Sequence, residues 1–180
     1  MQNIETKEKL ERSEIKKIFT SGFKPADTHK IGIEYERLPI YTDTFKAVPY
    51  EGGVCNILRN IAKDDDWDFI TDDFNIIGLK QNHDTITLEP GCQFEMSLEP
   101  QFTIKALEEK IKTLNKKIAP ALERSGAGLL EYGVSPVSTH KTIELIPKKR
   151  YHIMARYLWG ILSDVMMRET AGIQCCIDFE

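Results

Sequence analysis

The sequence lacks several features that would assign it to a common class of protein. No apolar run in its 180 residues approaches the roughly 20 residues that a helix needs to cross a bilayer. It has no basic excess, because 24 Lys and Arg residues stand against 28 Asp and Glu residues, for a net charge of −4. The segment Met1 to Glu11 is too charged for a signal peptide. We therefore expect a globular protein that binds neither membrane nor nucleic acid.

Cysteine is scarce, and its spacing matches neither a zinc pattern nor a dense disulfide framework. We expect reduced thiols, most of them buried as small hydrophobic side chains, in a cytoplasmic protein. The four cysteines are Cys55, Cys92, Cys175 and Cys176.

Glycine motifs for nucleotides are also missing, because the sequence has neither a Walker loop nor a Rossmann fingerprint. Gly52 and Gly53 precede a predicted helix, and entry into that helix explains them better than a phosphate cradle does. The four histidines are too scattered to make a metal site.

Hydrophobic periodicity predicts helices together with a mainly antiparallel sheet, which makes the fold class α+β. Thr103 is the predicted N-cap of the third helix, and Pro120 is predicted to kink or end it. Turn compositions at Asp72-Asp73 and Gln81-Asn82-His83 predict two hairpins. The predicted helices cover residues 5–20, 50–64, 104–124 and 151–169, and the predicted strands cover 29–38, 67–71, 74–80, 84–88, 93–98, 128–135 and 171–179.

Polar side chains recur at every second position of three predicted strands, so they share one face in each strand. The opposite positions are largely apolar, and the helices at 104–124 and 151–169 are expected to cover that apolar face. Simple amphipathic strands with a wet face would show the same pattern. The polar sets are Glu34 and Glu36; Gln93, Glu95 and Ser97; and Gln174, Cys176 and Asp178.

If these strands adjoin, their polar faces gather Glu34, Glu36, Glu95 and Asp178, with Glu89 as a further candidate. Neighbouring carboxylates repel and raise one another's pKa unless a cation neutralises them. Mg²⁺ commonly binds through one or two carboxylates, waters and substrate phosphates. The pattern therefore indicates a site for metal and nucleotide, although acidic clusters can also be structural.

A second group of charges, Pro147-Lys-Lys-Arg-Tyr151, places cations just before a predicted helix. Cations are unfavourable at a helix N-terminus. Either solvent screens them or an anion binds there, and Arg150 is the best candidate because its guanidinium matches carboxylate and phosphate geometry.

From about Lys30 onward, these segments together resemble the glutamate–cysteine ligase family of the plant and proteobacterial type. The most specific stretch runs from Leu88 to Ser97. Four positions depart from the family pattern: Tyr35, Cys92, Lys149 and Cys176 replace a histidine, a glycine, a glycine and an asparagine. The segments that resemble the family are Gly32–Glu36, Ile77–Gln81, Thr87–Ser97, Pro147–Met154, Met166–Arg168 and Gln174–Phe179.

The resemblance implies a glutamine synthetase-like fold, a curved antiparallel sheet whose concave face holds Mg²⁺ and ATP. It implies that ATP phosphorylates the γ-carboxylate of glutamate and that the amine of cysteine attacks the acyl phosphate. Family members are longer, so we expect residues 1–180 to be the N-terminal part of one catalytic domain. The implied roles are metal binding by Glu34, Glu36, Glu89 and Glu95, catalysis and substrate binding by Arg150, and substrate binding by Lys80, Gln93 and Gln174.

Two alternatives remain open at the level of sequence. A related carboxylate–amine ligase could use another amine acceptor, because a few side chains set acceptor specificity. A non-catalytic remnant could fold or associate without turnover. The four retained glutamates argue against a sequence that lost its function long ago. The sequence does not fix the oligomeric state.

Overall fold

The computed structural model describes residues 11–160 and 162–180, which form an open antiparallel sheet and five helices. The part of the predicted helix 5–20 before residue 11 lies outside the described residues. The helices are α1 (Arg12–Thr20), α2 (Cys55–Asp65), α3 (Ile104–Arg124), α4 (Lys149–Tyr157) and α5 (Ser163–Glu169). The strands are β1 (Ile31–Tyr41), β2 (Asp68–Asp72), β3 (Asn75–Gln81), β4 (Asp84–Leu88), β5 (Phe94–Gln101), β6 (Ala127–Leu130) and β7 (Ile173–Ile177).

The sheet follows the order β2-β3-β4-β5-β1-β6, and β7 pairs with the first half of β1. Every strand pair is antiparallel, as predicted. The predicted hairpins are confirmed, and their turns contain Asp73 and Asn82 with positive φ angles of 52° and 54°. Short polar residues tolerate this left-handed conformation better than most others. Strand β6 is shorter than the prediction for residues 128–135.

Helices α2 and α3 cover the apolar face of the sheet, where Phe94 and Met96 are fully buried. The side-chain oxygen of Thr103 accepts a hydrogen bond of 3.1 Å from the amide of Ala106, which confirms the predicted N-cap. Pro120 does not end α3, which continues to Arg124. Pro120 and Lys116 are both exposed, so water can bond the Lys116 carbonyl that lacks a helical partner. No helix in the described part of the chain is long and apolar enough to cross a membrane.

The prediction of one helix over residues 151–169 on the apolar face is wrong. The backbone leaves helical geometry at Leu158, and Gly160 has a φ angle of +145°, which side-chain-bearing residues rarely adopt. The resulting helices α4 and α5 lie at the β4–β5 turn, and their residues line a cavity together with Glu36 and Glu89. Apolar residues at helical spacing predicted the helical content but not the break at glycine.

Candidate functional site

Strand register brings predicted glutamates onto one face of the sheet. Glu36 of β1 lies directly opposite Glu95 of β5, and Glu34 lies between Ser97 of β5 and Gln174 of β7. Directly paired residues in an antiparallel sheet point to the same side. We call the group Glu34, Glu36, Glu89 and Glu95 the carboxylate face.

The carboxyl group of Glu36 lies close enough to other carboxyl groups for their charges to affect its pKa. Burial of its carboxyl group raises its pKa, and the neighbouring Glu89, Glu95 and Glu34 raise it further. One contact opposes these effects, because the amide of Gly172 donates a hydrogen bond of 2.8 Å to Oε2 of Glu36. A cation beside Glu36 would relieve the repulsion.

Glu89 follows β4 and is held by the first turn of α4. Burial raises its pKa and Glu95 raises it further, whereas the Tyr151 hydroxyl, Lys148 and Arg150 lower it. The hydroxyl of Tyr151 lies 2.8 Å from Oε1 of Glu89 and donates to it. A buried tyrosine thus fixes one oxygen of this carboxyl group.

Glu95 is also fixed through one oxygen, because the hydroxyl of Thr87 donates a hydrogen bond of 2.8 Å to its Oε1. Within the described residues, Glu36, Glu89 and Glu95 each accept a hydrogen bond through one oxygen, and the second oxygen of each accepts none from the protein. Positioned carboxylates with a free oxygen are suitable ligands for a hard cation.

The carboxylate face is not a closed metal cage. In residues 11–160 and 162–180, no three His, Cys, Asp or Glu side chains are placed to hold one metal ion. The donor set fits Mg²⁺ bound in its usual open manner, through one or two carboxylates with phosphate and water oxygens. The assignment of metal binding to Glu34, Glu36, Glu89 and Glu95 remains a prediction.

Three of the predicted substrate-binding residues are exposed near this face. Arg150 lies in the first turn of α4, close enough to Glu89 and Tyr151 to lower the pKa of both groups. Gln174 lies beside Glu34, and Lys80 reaches the same face through the pairing of β3 with β4. No described residue forms a side-chain hydrogen bond or ion pair with Arg150 or Lys80.

Two predicted polar residues have structural contacts instead. Gln93 is 2% exposed, and its amide group bonds the backbone of Gly91, Met167 and Thr170 at 2.7, 3.2 and 2.8 Å. These bonds tie the β4–β5 turn to α5, so Gln93 has no free group for a substrate. Sequence alternation could not reveal this, because the partner carbonyls lie about 75 residues away in the chain.

Asp178 is also held by structural contacts. Its Oδ1 lies 2.6 Å from Nζ of Lys24, and its Oδ2 accepts a hydrogen bond of 3.0 Å from the amide of Lys30. The Lys24 contact is the main reason that the pKa of Asp178 is lowered. Asp178 is therefore held by Lys24 and Lys30, and within the described residues it makes no hydrogen bond to the glutamates. Its place on the same face as Glu34 stays a prediction.

The sequence patterns did not assign a role to Tyr151 or to the methionines near it. A cavity of about 200 Å³ adjoins the carboxylate face, and its lining includes Met154, Met166, Glu36 and Glu89. The only sequence signal was the position of Tyr151 at the end of the cationic segment Pro147–Tyr151.

The structure is of the α+β class, and its antiparallel sheet gathers glutamates on one face, with Arg150 and Lys80 nearby. The model of glutamate–cysteine ligase family 2 matches residues 30–180, and the chain belongs to this family.

Curated relatives agree with this assignment. The chain is 33% identical to glutamate–cysteine ligase B, chloroplastic, of Oryza sativa subsp. japonica over 98% of this chain and 36% of that protein. It is 34% identical to the Medicago truncatula glutamate–cysteine ligase, chloroplastic, over 96% of this chain and 34% of that protein. For the Arabidopsis thaliana protein of the same name, the values are 32%, 96% and 33%. The chain thus spans about a third of the length of these relatives.

Proposed function

We propose that this chain provides part of the catalytic domain of an ATP- and Mg²⁺-dependent glutamate–cysteine ligase. The observation that supports this most directly is the pairing of Glu36 with Glu95, beside Glu34 and Glu89, in a chain of this family. The same proposal includes two further statements. Residues 1–180 are the N-terminal part of one catalytic domain, and that domain has a glutamine synthetase-like fold. Their support is the antiparallel sheet with helices on its apolar face.

In this proposal the carboxylate face binds the metal that accompanies ATP. Glu36, Glu89 and Glu95 each offer a free oxygen, while Thr87, Tyr151 and the Gly172 amide hold the other oxygen in place. Bound Mg²⁺ would neutralise phosphate charge and act as a Lewis acid. Arg150 would bind an anionic group of glutamate or ATP with paired hydrogen bonds.

The proposed reaction forms one amide bond. The γ-carboxylate of glutamate takes the terminal phosphoryl group of ATP, releasing ADP. The amine of cysteine then attacks the acyl phosphate, loses a proton, and displaces inorganic phosphate to leave γ-glutamylcysteine, the first intermediate towards glutathione. The residues of this chain would act by positioning the reactants and balancing their charge.

We also propose a cytoplasmic location for this chain. Its support is that Cys55, Cys92, Cys175 and Cys176 are all free thiols, as is usual in reducing compartments. The names of the relatives place those proteins in chloroplasts, and this applies to them alone.

A product assay tests the proposed activity and its acceptor. The purified chain is incubated with ATP, Mg²⁺ and glutamate plus either cysteine, glycine or alanine, and mass spectrometry measures the γ-glutamyl products. The proposal predicts γ-glutamylcysteine in preference to the other products, with one phosphate released per product. Preference for another amine would support the related ligase instead. Absence of every product, with Mg²⁺-ATP binding retained, would support a non-catalytic chain.

A further inference from the structure

The position of Glu36 depends on the short segment between α5 and β7, residues 170–172, which we call the α5–β7 connection. The amide of Gly172 donates a hydrogen bond of 2.8 Å to Oε2 of Glu36. The carbonyl of Gly172 accepts a second bond, of 2.9 Å, from the amide of Glu36. Gly172 therefore contacts both the side chain and the main chain of one glutamate of the carboxylate face. Whatever holds Gly172 in place also holds Glu36.

A second segment, residues 133–135, runs beside the α5–β7 connection. The amide of Ala171 donates a hydrogen bond of 3.2 Å to the carbonyl of Gly133, and the amide of Ser135 donates one of 2.7 Å to the carbonyl of Glu169. Successive amides of an extended chain point to opposite sides. The connection therefore lies between β1 on one side and residues 133–135 on the other.

The side chain of Glu169 binds the continuation of this second segment. Its Oε1 accepts a hydrogen bond of 2.5 Å from the backbone amide of His140 and lies 2.6 Å from Nδ1 of the same residue. The bond from the His140 amide is the main reason that the pKa of Glu169 is lowered, so this carboxyl group is ionised at neutral pH. An ionised carboxylate only accepts hydrogen bonds, so the ring nitrogen of His140 donates.

Arg168 adds contacts to the same loop. Its Nη1 donates hydrogen bonds of 2.9 and 3.2 Å to the carbonyls of His140 and Ile143. Two consecutive residues at the end of α5 thus bind the amide, the ring and the carbonyl of His140. Glu169 is 9% exposed and lies three residues before Gly172. The loop is therefore tied to the part of the chain that leads directly into the Glu36 contact.

We propose that the contact between His140 and Glu169 positions Glu36, acting through the α5–β7 connection and the amide of Gly172. His140 and Glu169 are positioning residues in this proposal. It rests on the proposed ligase function only for the use of Glu36, which is to present its second oxygen to Mg²⁺. Loss of the contact would release the loop from Glu169, allow the connection to move, and weaken the bond from Gly172 to Glu36.

The test uses the full chain labelled with ¹⁵N, without ATP or metal. The amide proton of Gly172 reports its bond to Glu36 through its chemical shift and its rate of exchange with water. We expect Glu169→Ala to move this proton upfield and to speed its exchange at least about tenfold, equivalent to roughly 1.4 kcal/mol in the free energy of local opening. Glu169→Gln keeps an oxygen acceptor for the His140 amide and should resemble the parent. Glu108→Ala, which removes an exposed ion pair with Lys112 in α3, is the control.

Urea unfolding of the same variants separates positioning from stability. A contact that is only structural would lower the free energy of unfolding in Glu169→Ala and leave the Gly172 proton of the folded protein unchanged, and this result would overturn the proposal. If Glu169→Ala does not fold, His140→Ala replaces it. It removes the ring contact alone, so we expect a smaller shift in the same direction, and an unchanged Gly172 proton would overturn the proposal.

The NMR result needs neither ATP nor Mg²⁺. It therefore decides the positioning role of His140 and Glu169 even when the parent does not bind Mg²⁺-ATP, a result that would count against the proposed function alone.

Discussion

The hydroxyl of Tyr151 donates a hydrogen bond of 2.8 Å to Oε1 of Glu89 and thereby connects helix α4 to the carboxylate face. Tyr151 is 3% exposed, and Nζ of Lys148 donates a hydrogen bond of 3.1 Å to the same hydroxyl. These two hydrogen bonds orient the Tyr151 hydroxyl towards the Glu89 carboxylate. Burial of Tyr151 and its bond to Glu89 both raise the pKa of the phenol, so it remains a donor at neutral pH.

Tyr151→Phe should leave the Glu89 carboxylate less firmly held, because it removes the hydroxyl donor while keeping the ring packed. Loss of a hydrogen bond to a charged group costs about 1.5–3 kcal/mol when the group is buried, and less when it is partly exposed as here. We expect a further rise in the pKa of Glu89, because its bond to Tyr151 lowers that pKa. Carboxyl ¹³C NMR titration measures the change. Tyr132→Phe, at an exposed tyrosine, is the control, and an unchanged Glu89 titration in Tyr151→Phe would show that the bond is unimportant.

The stability of the metal-free protein should rise as the pH falls from neutral towards 4.5, the ordinary pKa of a glutamate. Glu36 and Glu89 have raised pKa values in the folded state, so the folded protein takes up protons before the unfolded chain does. Asp65 and Asp178 have lowered pKa values in the folded state, so the stability that their carboxylates contribute is lost at lower pH still.

Urea unfolding across this pH range measures the effect on the free energy of unfolding. Glu36→Gln should reduce the rise, whereas Glu108→Gln, on the exposed side of α3, should leave it unchanged. A parent protein that loses stability steadily from neutral pH downwards would contradict the assignment.

Cys92 should tolerate glycine better than alanine. Its φ angle is +71°, a left-handed conformation that costs a side-chain-bearing residue about 1–2 kcal/mol. Both substitutions lose the buried sulfur, but alanine keeps the backbone strain whereas glycine removes it. We expect Cys92→Gly to be more stable than Cys92→Ala by about 1 kcal/mol in chemical denaturation. The reverse order would indicate that packing of the alanine methyl group outweighs backbone strain.

Arg150→Lys should weaken binding of an anionic substrate. The substitution keeps the positive charge near Glu89 but loses the planar fork that binds carboxylates and phosphates. In a complete enzyme we expect KM for glutamate or ATP to rise, or kcat to fall, by at least about tenfold, equivalent to roughly 1.4 kcal/mol. Arg156→Lys on the same helix is the control. Kinetics that match the parent for both substrates would exclude this role for Arg150.

Local patterns in the sequence predicted the sheet and the shared face of Glu34, Glu36 and Glu95. Alternation within each strand determines which side chains share a face, and turn residues such as Asp73 and Asn82 separate the strands. These are properties of neighbouring residues, so no tertiary contact was needed to predict them.

The contacts that decide individual roles come from distant parts of the chain. Gln93 alternates correctly with Glu95, yet carbonyl groups of α5 and Thr170 occupy its amide. Asp178 also alternates correctly, but Lys24 neutralises it. The break at Gly160 likewise depends on where α4 and α5 pack, which a helical apolar pattern does not specify.

Calorimetric titration of the chain with Mg²⁺-ATP tests the central claim, that the carboxylate face binds metal and nucleotide. Glu95→Gln keeps an acceptor for Thr87 and removes a charge next to Glu36, so the metal-free variant should melt at or above the parent temperature. We predict Mg²⁺-dependent ATP binding by the parent and by Glu108→Gln, and its loss in Glu95→Gln. Equal binding by Glu95→Gln and the parent, or ATP binding that does not depend on Mg²⁺, would contradict the account.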